Sequence, residues 1–176
     1  MKKEVIYEIR HELLERLQGD FTASGTEAEF TSSEEGAPEM VTAFLDELGD
    51  PDDEIYGQFF FHDMDEDDEV QYFVAAITFW DNIPEDRLSD LFESISYINF
   101  TLPAGRVSID KDHNFCTYML STPIPIEVEG DELYRQMDMI SGNAIAVAGS
   151  CVGVLNDVLN GVEDVDGVVD FLGGRS

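Results

Sequence analysis

Val70-Gln71-Tyr72-Phe73-Val74-Ala75-Ala76-Ile77-Thr78-Phe79-Trp80 is rich in β-branched and aromatic residues, and both of its alternating sets are apolar. Val70, Tyr72, Val74, Ala76 and Trp80 make one set; Phe73, Ala75, Ile77 and Phe79 make the other. A strand of this kind belongs at the centre of a sheet, covered on both faces by its own chain or on one of them by a second subunit. Ile55 to Phe61 has the same character, and the acidic link from Asp63 to Glu69 joins the two runs as an antiparallel hairpin.

Downstream, Pro84-Glu85-Asp86 places proline and two acids in a first helical turn, followed by Leu88, Leu91, Phe92, Ile95 and Ile98 at helical spacing up to Asn99. Leu102-Pro103-Ala104-Gly105 breaks the chain, and residues 106–110 and 115–122 form a second hairpin. Leu133, Met137, Ile140, Ala144, Val147, Cys151, Leu155 and Val158 mark a long final helix, with Gly142, Gly149 and Gly153 as candidate breaks. Upstream, Val5, Ile6, Ile9, Leu13, Leu14 and Leu17 predict a helix over 3–18 that stops at Gly19-Asp20. Residues 20–36 read as a loop or an edge strand anchored by Phe21 and Phe30. Pro38 then opens a second helix with Met40, Val41, Phe44, Leu45 and Leu48 on one face.

The expected fold is a single α+β domain over 1–176, in the order α-α-β-β-α-β-β-α, with helices packed on one antiparallel sheet. A helical N-terminal part covers 1–50, two hairpins around a central helix cover 54–126, and a C-terminal helix with an acidic tail covers 130–172.

Against 39 Asp and Glu stand 9 Lys and Arg, a formal charge of −30. No Lys or Arg lies between Arg16 and Arg87, where residues 17–86 hold 21 acids, so local pairing cannot neutralise this surface. A charge of that sign opposes nucleic acid and anionic membranes. It suits solubility, high-salt surroundings or a basic protein partner. With 43% hydrophobic residues and 12 Phe, the chain has the material for a folded core rather than a disordered acidic tail. Glu4 and Glu8 interrupt the N-terminal apolar run, so no signal-peptide core is read there, and the apolar heart from Ala144 to Leu155 is short for a membrane span. Cys116 and Cys151 sit in apolar surroundings and read as reduced thiols of a cytoplasmic protein, with one disulfide as the alternative.

The motifs that carry chemistry fail on context. Gly149-Ser150-Cys151-Val152-Gly153 has the spacing of a cysteine nucleophile elbow, but it lies inside a helical pattern instead of after a strand. His11-Glu12-Leu13-Leu14-Glu15 begins like a zinc-binding helix and has Glu15 where the second histidine belongs. Asp63, Asp65 and Asp67 alternate like the start of a calcium loop, but Asp68 and Val74 occupy its glycine and final glutamate positions. These three aspartates are the only metal candidates, and a solvated hairpin tip is the simpler reading. The Asp164-Val165-Asp166-Gly167 segment fails the same template. No phosphate-binding glycine loop is present, His62 and His113 read as surface residues, and no catalytic residue or cofactor is assigned.

Ile98-Asn99-Phe100, Pro103-Ala104-Gly105-Arg106-Val107-Ser108-Ile109-Asp110 and the run from Phe115 to Ile124 resemble the YbjN family of bacterial proteins, whose members share the type III secretion chaperone-like fold. The shared pattern is an asparagine closing a helix, a glycine, an alternating strand, an acidic turn and a second strand running into proline. The resemblance implies a small, acidic, dimeric cytoplasmic protein that binds other proteins instead of turning over a substrate. The expected function is therefore non-enzymatic and chaperone- or adaptor-like. Tyr97 and Phe100 are the partner-binding candidates, the partner is another protein with a basic segment, and the chain forms a homodimer. The alternatives are an acidic mimic of nucleic acid that occupies a basic protein, and an ordinary protein of a high-salt cell.

Overall fold

The computed structural model describes residues 3–33, 37–49, 54–62, 70–81, 83–112, 115–127 and 130–173. In chain order the elements are α1 (Lys3–Ala23), β1 (Ala28–Thr31), β2 (Met40–Phe44), β3 (Tyr56–Phe61), β4 (Val70–Asp81), α2 (Leu88–Thr101), β5 (Arg106–Asp110), β6 (Phe115–Pro125), α3 (Gly130–Leu159) and α4 (Val165–Gly173). Short 3-10 turns lie at Asp46–Leu48 and Glu85–Arg87. The strands form one 6-stranded sheet in the order β1-β2-β3-β4-β6-β5, and every neighbouring pair is antiparallel. The chain is thus α+β with a single antiparallel sheet.

Both expected hairpin pairs form strands, with β4 at the interior of the sheet as its pattern requires. Phe59, Phe61, Phe73, Ala75, Ile77, Val107 and Tyr118 share one apolar cluster with Leu13, Leu17, Leu91, Ile98, Leu133 and Cys151 of the helices. The core therefore lies between one face of the sheet and the helices. Between Thr78 and Trp80 the register of β4 against β6 shifts. This bulge changes the alternation, so Phe79 and Trp80 both enter the core, their rings edge to face with centroids 5.7 Å apart.

Three expectations are corrected. The second helix is absent: Met40–Phe44 is strand β2, paired on both sides by β1 and β3. Val41 and Ala43 are buried at alternate positions, and so short an apolar run satisfies either period until neighbouring strands select one. The N-terminal part is consequently half sheet, and residues 28–31 supply the edge strand. Second, α1 passes through Gly19 to Ala23, because Phe21 docks on Phe59 with ring centroids 5.2 Å apart and the helix closes only at Gly25, with φ of +93°. Third, α3 continues through Gly142, Gly149 and Gly153 and is followed by α4 in place of an acidic tail. Asp164 caps α4, its carboxylate accepting from the Gly167 amide at 3.0 Å, and Val168 is buried in the core. In length and composition α3 is sufficient to cross a membrane, although Leu133, Met137, Ala144, Ala148, Cys151 and Leu155 turn one side of it into the core.

The α2–β5 junction is built from residues of the resemblance. Asn99 makes a two-way bond with Val107: its side-chain amide donates to the Val107 carbonyl at 2.9 Å, and its oxygen accepts from the Val107 amide at 2.8 Å. The Tyr118 hydroxyl donates to the Ala104 carbonyl at 3.1 Å, laying the ring against Gly105, whose φ is +74°. A Cβ there would stand 2.7 Å from Tyr118 Cε2 and nearer still to the phenol oxygen. Gly105→Ala adds left-handed backbone strain to overpacking against a buried ring, and the expected loss is about 3 kcal/mol. A urea midpoint unchanged from that of the parent would refute this.

Candidate functional site

Helix α2 buries Leu91, Ser94, Ile95 and Ile98 against the core. The opposite side carries Tyr97, 42% exposed, and Phe100, 91% exposed. Spaced three apart, they stand side by side on the last turns of the helix, with exposed Glu93 one turn before Tyr97. The two partner-binding candidates of the sequence therefore form one aromatic patch in solvent. Phe100 is the most exposed large hydrophobic side chain among the described residues.

A second surface was not legible in the sequence. The helix residues of the core cluster meet one face of the sheet, and among the described residues no helix covers the other. That open face is read from the strand registers. One row runs from Glu29 through Thr42, Gln58, Ala76 and Met119 to Arg106, crossing all six strands. On either side of it lie Phe44, Tyr56, Thr78 and Thr117, and Met40, Phe60, Val74 and Ser121. Val74, Ala76, Thr78 and Thr117 are buried within the single chain although they stand outside the core cluster.

Titratable side chains cluster at two other places. Glu39, 8% exposed, accepts a hydrogen bond from the Tyr7 hydroxyl at 2.6 Å and lies 3.2 Å from His11 Nδ1, while His11 Nε2 is 3.5 Å from Glu15. The bond to Glu39 holds the Tyr7 phenol above its ordinary range, assisted by desolvation and by the charge of Glu39. His11 is thus a tether between α1 and the start of β2, and its neighbours are carboxylates instead of a second imidazole. On the other side of α1, Tyr134 donates to Asp20 at 2.6 Å, and Arg16 lies 3.8 Å above the Tyr134 ring while donating to Asp131 at 3.0 Å. Burial, then the bond to Asp20, raises the Tyr134 phenol well above its usual range. Arg10 over Phe61 and Lys111 over Phe92 repeat the arrangement, so three cations lie against aromatic faces.

Cys151 lies within α3, 4% exposed, with burial raising its thiol to about 11; Cys116 is fully buried in β6, its thiol raised by burial and by Cys151 to about 12. Both are free, and neither has the exposed, activated thiol of a nucleophile. Gly149, Gly153, Val154, Asp157 and Glu163 line a shallow groove of about 330 Å³ between α3 and the start of α4. Asp63, Asp65, Asp67 and His113 lie outside the described residues, and His62 is exposed beside Phe60. Among the described residues no group of three or more His, Cys, Asp or Glu side chains is placed to hold a metal ion.

No protein-family model matches the chain. No curated protein matches it. Among solved structures it is similar to the crystal structure of YbjN from E. coli, with 12% sequence identity and a TM-score of 0.47 over 79% of this chain and 87% of that one.

Proposed function

We propose that the chain is a non-catalytic, chaperone- or adaptor-like protein that holds a basic, partly apolar segment of another protein against α2. The observation that carries this reading is the Tyr97–Phe100 pair, an aromatic patch in solvent on a molecule of formal charge −30. Aromatic burial supplies affinity, and the surrounding negative field steers a cationic segment toward the patch. Two buried free thiols support work in a reducing compartment such as the cytoplasm.

The test titrates a labelled peptide of alternating Lys and Leu against the parent and a Tyr97→Ser, Phe100→Ser variant, with an acidic peptide of the same length as control. The parent is expected to bind the cationic peptide, the variant about tenfold more weakly, since losing an aromatic anchor from an interface costs 1–2 kcal/mol or more. Equal binding by parent and variant would remove α2 as the site. The charge itself favours a second reading, imitation of nucleic acid toward a basic protein. That reading requires binding that collapses with salt and ignores both substitutions. A stability that rises steeply with molar KCl, with no peptide binding, would instead mark the acids as an adaptation to salt.

A further inference from the structure

Helix α4 packs chiefly against α2 and stands off from α3, and the gap between α3 and α4 is the groove of about 330 Å³. Two glycines of α3 form its bed. Gly149 is bare for a packing reason, since a Cβ there would stand 3.1 Å from Leu48 Cδ2. Gly153 has no such reason: a Cβ would meet nothing within 4 Å, although a glycine inside a helix costs stability relative to alanine. What its missing side chain leaves is depth in the groove, between Val154 of α3 and Val168 of α4.

The turn that closes α3 brings two carboxylates to this groove. The Asp157 carbonyl accepts from the Val162 amide at 2.8 Å and from the Glu163 amide at 3.1 Å, which sets Glu163 beside the last turn of the helix. Glu163 then lays its carboxylate over the bare Cα of Gly167, where a Cβ would collide with Oε2. Both acids line the groove and both are exposed. The last turn of α3 carries no base, and among the described residues no Lys or Arg pairs with either carboxylate. Arg87 lies against the backbone of Gly161 instead. The C-terminal end of α3 adds its own partial negative charge at the same place.

We infer that this groove receives one lysine or arginine side chain of a partner's basic segment, its aliphatic stem on the glycine bed and its cationic head at Asp157 and Glu163. The inference rests on the reading of the partner as a basic segment and gives that segment a second anchor besides α2. The volume is at the small end for a ligand pocket, room for one long side chain and not for a cofactor. Val154, Val168 and the bare glycines suit a methylene stem, as long basic side chains lay theirs on apolar surface. The two unpaired carboxylates repel an anionic head, and an apolar side chain would desolvate them without pairing either one. Because α4 packs on α2, the helix that carries Tyr97 and Phe100 adjoins one wall of the groove.

Titration of the ¹⁵N-labelled full chain with the peptide of alternating Lys and Leu tests it, read at the backbone amides of Gly149, Gly153 and Gly167. All three signals are expected to move as the peptide binds. Gly153→Leu fills the groove from an open position and raises helix propensity, so the variant keeps its fold, and it is expected to bind about tenfold more weakly. Asp157→Asn with Glu163→Gln is expected to weaken binding about fivefold at low salt. Glu4→Gln with Glu8→Gln removes the same charge from exposed positions on α1 and is expected to change affinity by less than about twofold, which separates local pairing from the overall field. Peptide binding that leaves the three glycines unmoved, or that ignores Gly153→Leu, overturns the groove while the α2 reading stands. Binding weakened by Gly153→Leu but not by Tyr97→Ser with Phe100→Ser supports the groove and removes α2. Loss in the charge control equal to that in the groove pair overturns the inference, as does a peptide that does not bind the parent at all. So does n-butylamine moving the same glycines at the concentrations where the peptide does, which would assign the groove to a free amine.

Discussion

Alkaline titration is expected to remove on the order of 5 kcal/mol of folding stability by pH 11, through Cys116 and Cys151 alone. Both thiols have folded values raised above the ordinary 9.0, Cys116 to about 12 and Cys151 to about 11. A raised value means that the folded state holds its proton more tightly than the unfolded chain does. The contribution is therefore complete below pH 9 and falls as the pH climbs, about 1.4 kcal/mol per pH unit for each thiol until its folded value is passed. The cause is desolvation, because a thiolate in the apolar layer between β6 and α3 has nothing to solvate it. Tyr118 and Tyr134, whose phenols are also raised by burial, add to the loss above pH 10. Urea midpoints from pH 7 to 11 measure the slope. Replacing both cysteines with alanine is expected to flatten the limb between pH 9 and 10, and a limb left as steep as the parent's would refute the assignment. Iodoacetamide at pH 7 provides an independent check, since labelling of the folded protein must be slow.

Phe73→Ala is expected to cost about 4 kcal/mol, as large aromatic truncations in tight cores do. Phe73 is fully buried at the centre of the sheet, tilted against Phe61 with centroids 5.4 Å apart and stacked toward Phe59 at 6.4 Å. Phe59 in turn receives Phe21 from the end of α1, so one ring ties the hairpin of β3 and β4 to the N-terminal helix. The cavity would sit beside the Phe59 and Phe61 rings, both held by the backbone of β3, which leaves little scope for collapse. The expected readout is a lower denaturation midpoint with an unchanged slope. A loss under 1.5 kcal/mol would mean that the rings repack, and a reduced slope would mean that the core loosens before it unfolds.

The sheet was legible where both partners of a hairpin carried period-two patterning, as in residues 55–61 with 70–80 and 106–110 with 115–122. It was illegible at Met40–Phe44, where Met40, Val41, Phe44 and Leu45 also satisfy a helical stripe and only the ladders to β1 and β3 remove the ambiguity. Helix α4 was missed because a single apolar stripe of nine residues gains its stability from α2 and the Asp164 cap, not from its own length. Tyr97 and Phe100 could be found beforehand, since they fall off the stripe of Leu88, Leu91, Ile95 and Ile98. The rows of the open face could not, since they depend on which residues stand opposite each other across five ladders, and so on β2 being a strand and on β6 preceding β5 in the sheet.

The bulge between Thr78 and Trp80 has one more consequence. By turning the chain's single tryptophan inward, 7% exposed against Phe79, it makes intrinsic fluorescence a reporter of one locus, the inner layer where β4 meets β6. Emission from that indole is blue-shifted while the inner layer holds and moves to the red when water enters. The outward face of the same strand contributes no indole to the signal. An optical melt therefore reads the opening of that inner layer at one place, not an average over the whole molecule.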